Sequence, residues 1–245
     1  MQFSVEISPE HPALPGHFPG MPVVPAVILI ERLADQLERL TGREVNSIRQ
    51  LRLLGPALPG QRLDVMVNEK SAGSWRVTCT SDGKPVAKGV FATDAPEPER
   101  AEPARPDSPG FQSASGAYQH LPHAGAMQLV DQIAFRDDGA ETRLDLDDRH
   151  PLASGQSVAA WMMLEYAAQL MACRKILQGG EPMHKAMIVL VRSLDRYTSG
   201  LSAGDRVTIR VLEGVAQPGA VQCGFRAISE GRMVASGEFT VVSQG

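Results

Sequence analysis

The chain repeats itself in order. Phe3-Ser4-Val5-Glu6-Ile7 alternates like Thr142-Arg143-Leu144-Asp145-Leu146, and His11-Pro12-Ala13-Leu14-Pro15-Gly16 matches His150-Pro151-Leu152-Ala153-Ser154-Gly155. Ile28-Leu29-Ile30-Glu31 then matches Met162-Met163-Leu164-Glu165, and Gly60-Gln61-Arg62-Leu63-Asp64-Val65 matches Gly204-Asp205-Arg206-Val207-Thr208-Ile209. Last, Gly83-Lys84-Pro85-Val86-Ala87-Lys88-Gly89 matches Gly231-Arg232-Met233-Val234-Ala235-Ser236-Gly237. The offset changes only between these segments, which is how two copies of one unit diverge through their loops. The chain must therefore build one fold twice.

Each copy reads strand, loop, long apolar helix, then several strands. The helices are predicted at Pro25–Thr41 and Gln156–Leu177, and first-half strands at Val45–Leu54, Arg62–Glu69, Ser74–Thr80 and Pro85–Thr93. Gly60 and Asp82-Gly83 supply turns. A helix apolar on nearly every face needs an antiparallel sheet wrapped around one side and a second copy over the rest. The class is α+β, with two units side by side. Between them Ala95–Ala117 is rich in proline, alanine, serine and charge and has no apolar period, so it reads as a tether. That gives units at 1–94 and 118–245 joined by 95–117. The second unit carries an additional opening piece, Tyr118–Phe135, predicted to hold a short helix and a strand.

Composition narrows the function. The chain has 245 residues, 43% hydrophobic and 21% charged, with a formal net charge of −4, so nucleic acid is not the expected partner. Cys79, Cys173 and Cys223 lie far apart in apolar surroundings, as reduced core thiols do. MQFSVEIS lacks a basic start and apolar run, and no apolar stretch is of membrane-spanning length, so a cytoplasmic protein is expected. No GxGxxG follows a strand and no P-loop is present, so no nucleotide cofactor is implied.

The chemistry concentrates in Gly16–Glu31, GHFPGMPVVPAVILIE. A Gly/Pro-rich loop carries His17 and runs into a helix opened by Pro25. Glu31 follows fourteen residues after His17. A histidine and a carboxylate beside a dry helix suit general acid–base chemistry, while a loop cap and a helix-rim carboxylate account for the same spacing. His123 in Leu121-Pro122-His123 reads as a loop-holding residue, and His11 and His150 as members of a shared structural turn. A metal set of His11, His17 and Glu31 is not favoured by its spacing, so no metal is expected.

Gly16-His17-Phe18-Pro19-Gly20, with Pro22-Val23-Val24-Pro25 and Ile28-Leu29-Ile30-Glu31, resembles the signature of hot-dog-fold 3-hydroxyacyl-acyl-carrier-protein dehydratases. Leu121-Pro122-His123-Ala124-Gly125-Ala126-Met127 with Leu129-Val130-Asp131, and Ala159-Ala160-Trp161 with Leu164-Glu165-Tyr166-Ala167-Ala168-Gln169, resemble the partner subunit of the dehydratase heterodimers of aryl-polyene clusters. The first half is similar to the other subunit of that pair. The resemblance implies a double hot-dog, a pseudo-dimer with its helices in the middle. It implies dehydration of a 3-hydroxyacyl chain on the phosphopantetheine of an acyl carrier protein, without cofactor. In family dimers the histidine of one unit faces the acid of the other. Carried over, His17 is the base and Glu165 the acid, with Glu31 a secondary candidate. Gly20, Ala26 and Val27 become the oxyanion or substrate-binding positions. A glutamate kept protonated by apolar surroundings would suit the acid. Two departures stand out. Ala26 occupies a position where the family usually has glycine. The second half also lacks the GHFPG loop, with Gln156-Ser157 after Gly155. An acyl-thioesterase or a non-catalytic acyl-binding scaffold on the same fold are the rival readings.

Overall fold

The computed structural model describes residues 1–98, 110–147, 150–182, 186–217 and 219–243. Residues 99–109 of the tether lie outside the described residues. The first half holds β1 (Gln2–Val5), α1 (Ala26–Thr41), β2 (Ser47–Leu53), β3 (Leu63–Ser71), β4 (Ser74–Ser81) and β5 (Lys84–Ala92). The second opens with β6 (Gln112–Ser113), β7 (Gln132–Arg136) and β8 (Gly139–Asp145). It continues with β9 (Ala153–Ser154), β10 (Ser157–Ala159), α2 (Met163–Leu177), β11 (Ala186–Arg196), β12 (Gly200–Ser202), β13 (Arg206–Gln217), β14 (Ala220–Ser229) and β15 (Arg232–Ser243).

Helix α1 starts after Pro25, whose ring presets the first-turn backbone, and stops at Gly42 in the left-handed region, where the Gly42 N–H bonds Glu38 O at 2.8 Å. It buries Ile28, Leu33 and Leu37 completely. Each such side chain contributes about 1.5–3 kcal/mol by leaving water. Strand β3 alternates as a half-buried strand must, with Leu63, Val65 and Val67 inward and Asp64, Met66 and Asn68 outward. The thiols of Cys79, Cys173 and Cys223 are buried and unpaired, and burial pushes them up to about 11, 12 and 12.

Twelve strands form one sheet, in the order β1-β3-β4-β5-β2-β11-β15-β14-β13-β8-β7-β6. The two halves meet where β2 pairs antiparallel with β11, Leu51 opposite Val191 and Ile48 opposite Leu194. Arg49 bonds Asp195 across this seam at 2.8 Å. Buried Arg196 pairs with Glu38, bonds Asn46 Oδ1 at 3.2 Å and lies over the Trp161 ring at 5.0 Å. The duplication extends to single hydrogen bonds. His11 Nδ1 accepts from the Ala13 N–H at 3.2 Å, and His150 Nδ1 accepts from the Leu152 N–H at 3.1 Å.

Helix α2 departs from expectation at its start. Gln156 to Met162 were expected to be helical, yet Ser157–Ala159 pairs as a strand with Gly200–Ser202, and a 3-10 turn at Ala160–Met162 precedes Met163. The opening piece of the second half contains 3-10 turns at Ser115–Gln119 and Gly125–Met127 and then β7. Its Ala124 N–H bonds Gly16 O at 3.1 Å, joining the two loops that carry His123 and His17.

Candidate active site

A cavity of about 350 Å³ lies between the halves. First-half residues His17, Phe18, Val23, Val24, Ala26 and Leu29 line it together with second-half residues His123, Glu165, Ala168, Gln169 and Ala172. Its walls are otherwise chiefly apolar. Leu54 and Met187, 52% and 43% exposed, stand among its lining residues and mark its open side.

His17 is held by its own loop. Its Nδ1 bonds Val23 O at 2.8 Å, so the proton sits on Nδ1 and Nε2 is left as the basic nitrogen. The Val23 N–H bonds back to His17 O at 2.9 Å, and the Phe18 ring stacks on the imidazole at 4.1 Å. The imidazole is pushed below its ordinary value, first by burial and then by the charge of His123, against a raising influence from Glu165 and the Val23 carbonyl. A neutral imidazole with Nε2 unprotonated can accept a proton.

Glu165 lies on the first turn of α2, 4% exposed. One helical turn on, Gln169 Nε2 donates to Glu165 Oε1 at 3.0 Å. Gln169 is oriented by two donors on its own oxygen, the Tyr118 hydroxyl at 3.0 Å and the Leu129 N–H at 3.1 Å. Tyr118 in turn accepts the Val130 N–H at 2.8 Å. On the other side His123 Nε2 lies 3.3 Å from Glu165 Oε1. Burial raises this carboxyl, but the His123 hydrogen bond, the charges of His17 and His123 and the Gln169 hydrogen bond outweigh it and hold it at about 2. The expectation of a carboxyl kept protonated by apolar surroundings is thereby corrected: the helix is apolar in sequence, yet the carboxyl faces two donors.

The other expected residues separate. The N–H groups of Ala26 and Val27, at the open end of α1, find no partner among the described residues, while those of Ile28 and Leu29 bond Pro25 O. Ala26 lines the cavity; Val27 is fully buried beside it, and Gly20 is exposed in the turn behind His17, with φ of 76°. Glu31 belongs to a different cavity of about 230 Å³, with Asp35, Glu38, Glu44, Trp161 and Arg196. Burial first, and Asp35 second, push it up to about 7. His123, read as a loop holder, instead faces Glu165, with its ring centroid 5.4 Å from that of His17. The signal that could have found the polar network was the four-residue spacing of Glu165 and Gln169. No local spacing links residue 123 to residues 17 and 165.

His17, His123 and Glu165 each offer a ligand atom, all within 4.8 Å of one another. Spacing within that limit suits a metal ion as well as a substrate held between the same atoms. The set of His11, His17 and Glu31 is not brought together, since Glu31 lines the other cavity.

Comparison with known families agrees with this two-half arrangement. Residues 116–244 match the model of the ApeP-like family, described as ApeP dehydratase, and residues 1–90 match the ApeI-like family, described as ApeI dehydratase. The chain belongs to these dehydratase families, joined in tandem. It is 30% identical over 95 residues to 3-hydroxyacyl-(acyl-carrier-protein) dehydratase FabZ of Rhizobium rhizogenes (strain K84 / ATCC BAA-868), covering 34% of this chain and 60% of that protein. It is 31% identical over 110 residues to the FabZ of Anaeromyxobacter sp. (strain K), covering 38% and 70%. The dehydratase domain of RzxB from Pseudomonas fluorescens superposes with a TM-score of 0.80 at 14% identity, covering 98% of this chain and 93% of that one. The fold is a double hot-dog. Among the described residues no helix is long and apolar enough to cross a membrane.

Proposed function

We propose that this protein removes water from 3-hydroxyacyl thioesters carried on an acyl carrier protein, giving 2-enoyl products, at a single site formed by both halves. The observation that supports it most is the meeting of His17 from one half with Glu165 from the other in one apolar cavity beside an open helix N-terminus.

The acyl chain enters past Leu54 and Met187. The thioester oxygen takes the free N–H of Ala26, where the helix terminus favours developing negative charge. His17 Nε2 removes a proton from C2. The C3–O bond breaks, and its electron pair leaves with the oxygen, which receives a proton from the Glu165 side as water departs. The His17 proton then returns to the Glu165 side. No cofactor enters these steps.

Carrier-bound substrate is inferred from the FabZ relatives and from the narrow apolar cavity. The pathway proposed is a fatty-acid-like or aryl-polyene route. The thioesterase reading needs water and a carboxylate but gives no task to His17 in its clamped loop. Purified protein is incubated with a 3-hydroxyacyl thioester while enoyl absorbance and free thiol are followed together. Enoyl formation lost in His17→Ala supports the dehydratase. Thiol release without enoyl, or no turnover on short and long chains, refutes it.

A further inference from the structure

His123 has no role in the steps above, yet it lies deep in the site. Its side chain is 10% exposed, its Nε2 faces Glu165 Oε1 at 3.3 Å, and its ring meets Phe18 edge-on at 5.1 Å. Its Nδ1 is buried with no hydrogen-bond partner. A structural histidine in this protein looks different: both nitrogens of His150 are engaged, Nδ1 by the Leu152 N–H and Nε2 by the Tyr166 hydroxyl. An unmatched buried nitrogen is costly, and its retention beside a reacting carboxylate marks a functional group.

Resting on the dehydratase reading, we propose that His123 is the positioning residue that holds, through Glu165, the proton delivered to the departing hydroxyl. The proton resides in the His123 Nε2–Glu165 Oε1 hydrogen bond. As the C3–O bond breaks, that one proton passes through Glu165 to the hydroxyl oxygen, leaving a neutral His123 beside the Glu165 carboxylate. After water leaves, the proton that His17 took from C2 returns to the pair across a gap of at most 4.8 Å. Protons balance over the cycle, and no other reactant is required.

The molecule contains its own control. Glu31 and Glu165 are matched positions on the two helices. Glu31, with no histidine against it, is pushed up to about 7, whereas Glu165 is held at about 2. The titratable groups facing His123 are Glu165 from α2 and His17 from the first-half loop; among the described residues no other ionisable side chain lines this cavity. Deleting His123 leaves Glu165 with the Gln169 hydrogen bond and His17 but with no proton source beside it, so the carboxyl must itself be protonated before it can act.

The test is the kcat/KM profile between pH 5.5 and 9 of the full chain, His123→Phe and His123→Gln, with a 3-hydroxyacyl thioester. Glutamine keeps a donor for Glu165 but holds no spare proton, so it separates orientation from proton storage. Both variants are expected to lose about 100-fold in kcat at pH 8 with little change in KM, and to regain most of it at pH 6, because the falling limb moves acidward. Equal losses at both pH values, or full activity in His123→Gln, overturn the assignment. Wild-type protein that makes no enoyl product removes the dehydratase reading itself. Active wild type with unshifted variants removes only the role of His123.

Discussion

Replacing Gly16 by alanine should uncouple the two halves at the site without touching a reacting group. A Cβ at Gly16 would lie 2.1 Å from Ala124 O and 2.8 Å from Met127 Cβ. Carbon–oxygen contacts need roughly 3.2 Å or more, so the loops must part by about 1 Å. His17 follows Gly16 and His123 precedes Ala124, so the retreat draws the base away from the His123–Glu165 side. It also stretches the 3.1 Å hydrogen bond from the Ala124 N–H to Gly16 O. Overpacking of this kind costs about 1–3 kcal/mol, or roughly 2–12 °C in Tm for a chain of this size. A displacement of about 1 Å costs on the order of 100-fold in kcat. The control is Gly83→Ala in the β4–β5 turn, where φ is 75° and no atom lies within 4 Å of the added Cβ. There the left-handed backbone alone costs about 1–2 kcal/mol and turnover should be unchanged. Melting curves and enoyl absorbance are measured on both proteins. A Gly16→Ala protein with wild-type kcat would refute the argument that this contact sets the distance between base and acid.

Three further outcomes follow from the geometry. Glu165→Gln should lower kcat by about 100-fold or more, while Glu31→Gln, which lies in the other cavity, should keep most of it; the reverse order in a turnover assay would remove the cross-half pairing. Because Glu31 is raised from 4.5 to about 7 in the folded chain, its contribution is present at low pH and lost as pH rises toward 7. Glu31→Gln should thus melt several degrees above wild type at pH 8 and level with it at pH 4, a difference of about 3 kcal/mol at most. The Arg196→Met protein loses the partner of Glu38 and Asn46 at the seam, and denaturant titration should show a loss of about 1–3 kcal/mol, since the half-buried Glu38 carboxylate keeps only the Val45 N–H.

Much of this molecule is legible in its sequence because the repeat is written in local patterns. The strands β2 to β5 fall within two residues of their alternating segments, and α1 begins one residue after Pro25. His17 was reached from a loop signature, and its expected pairing with Glu165 from the family resemblance rather than from spacing. What escaped is long-range. The strand at Ser157–Ala159 exists because it finds Gly200–Ser202, a partner more than forty residues away, so helical periodicity overran it. The lowering of the Glu165 carboxyl depends first on His123, on a segment that has no counterpart in the first half. Even Gly89 and Gly237, matched in the repeat, explain themselves only in three dimensions: a Cβ at either would strike the neighbouring strand, at Leu51 Cα (2.8 Å) and Ser193 O (2.5 Å) respectively.

The β2–β11 seam has a consequence for how such a site behaves on dilution. When base and acid come from separate subunits, the active fraction follows mass action and falls below the dissociation constant. Here the proposed base and acid belong to one polypeptide, so docking of the halves is first order and governed by an effective concentration on the order of millimolar. Specific activity should therefore stay level down to nanomolar enzyme. Each half is also free to change its sequence without having to remain complementary to a copy of itself.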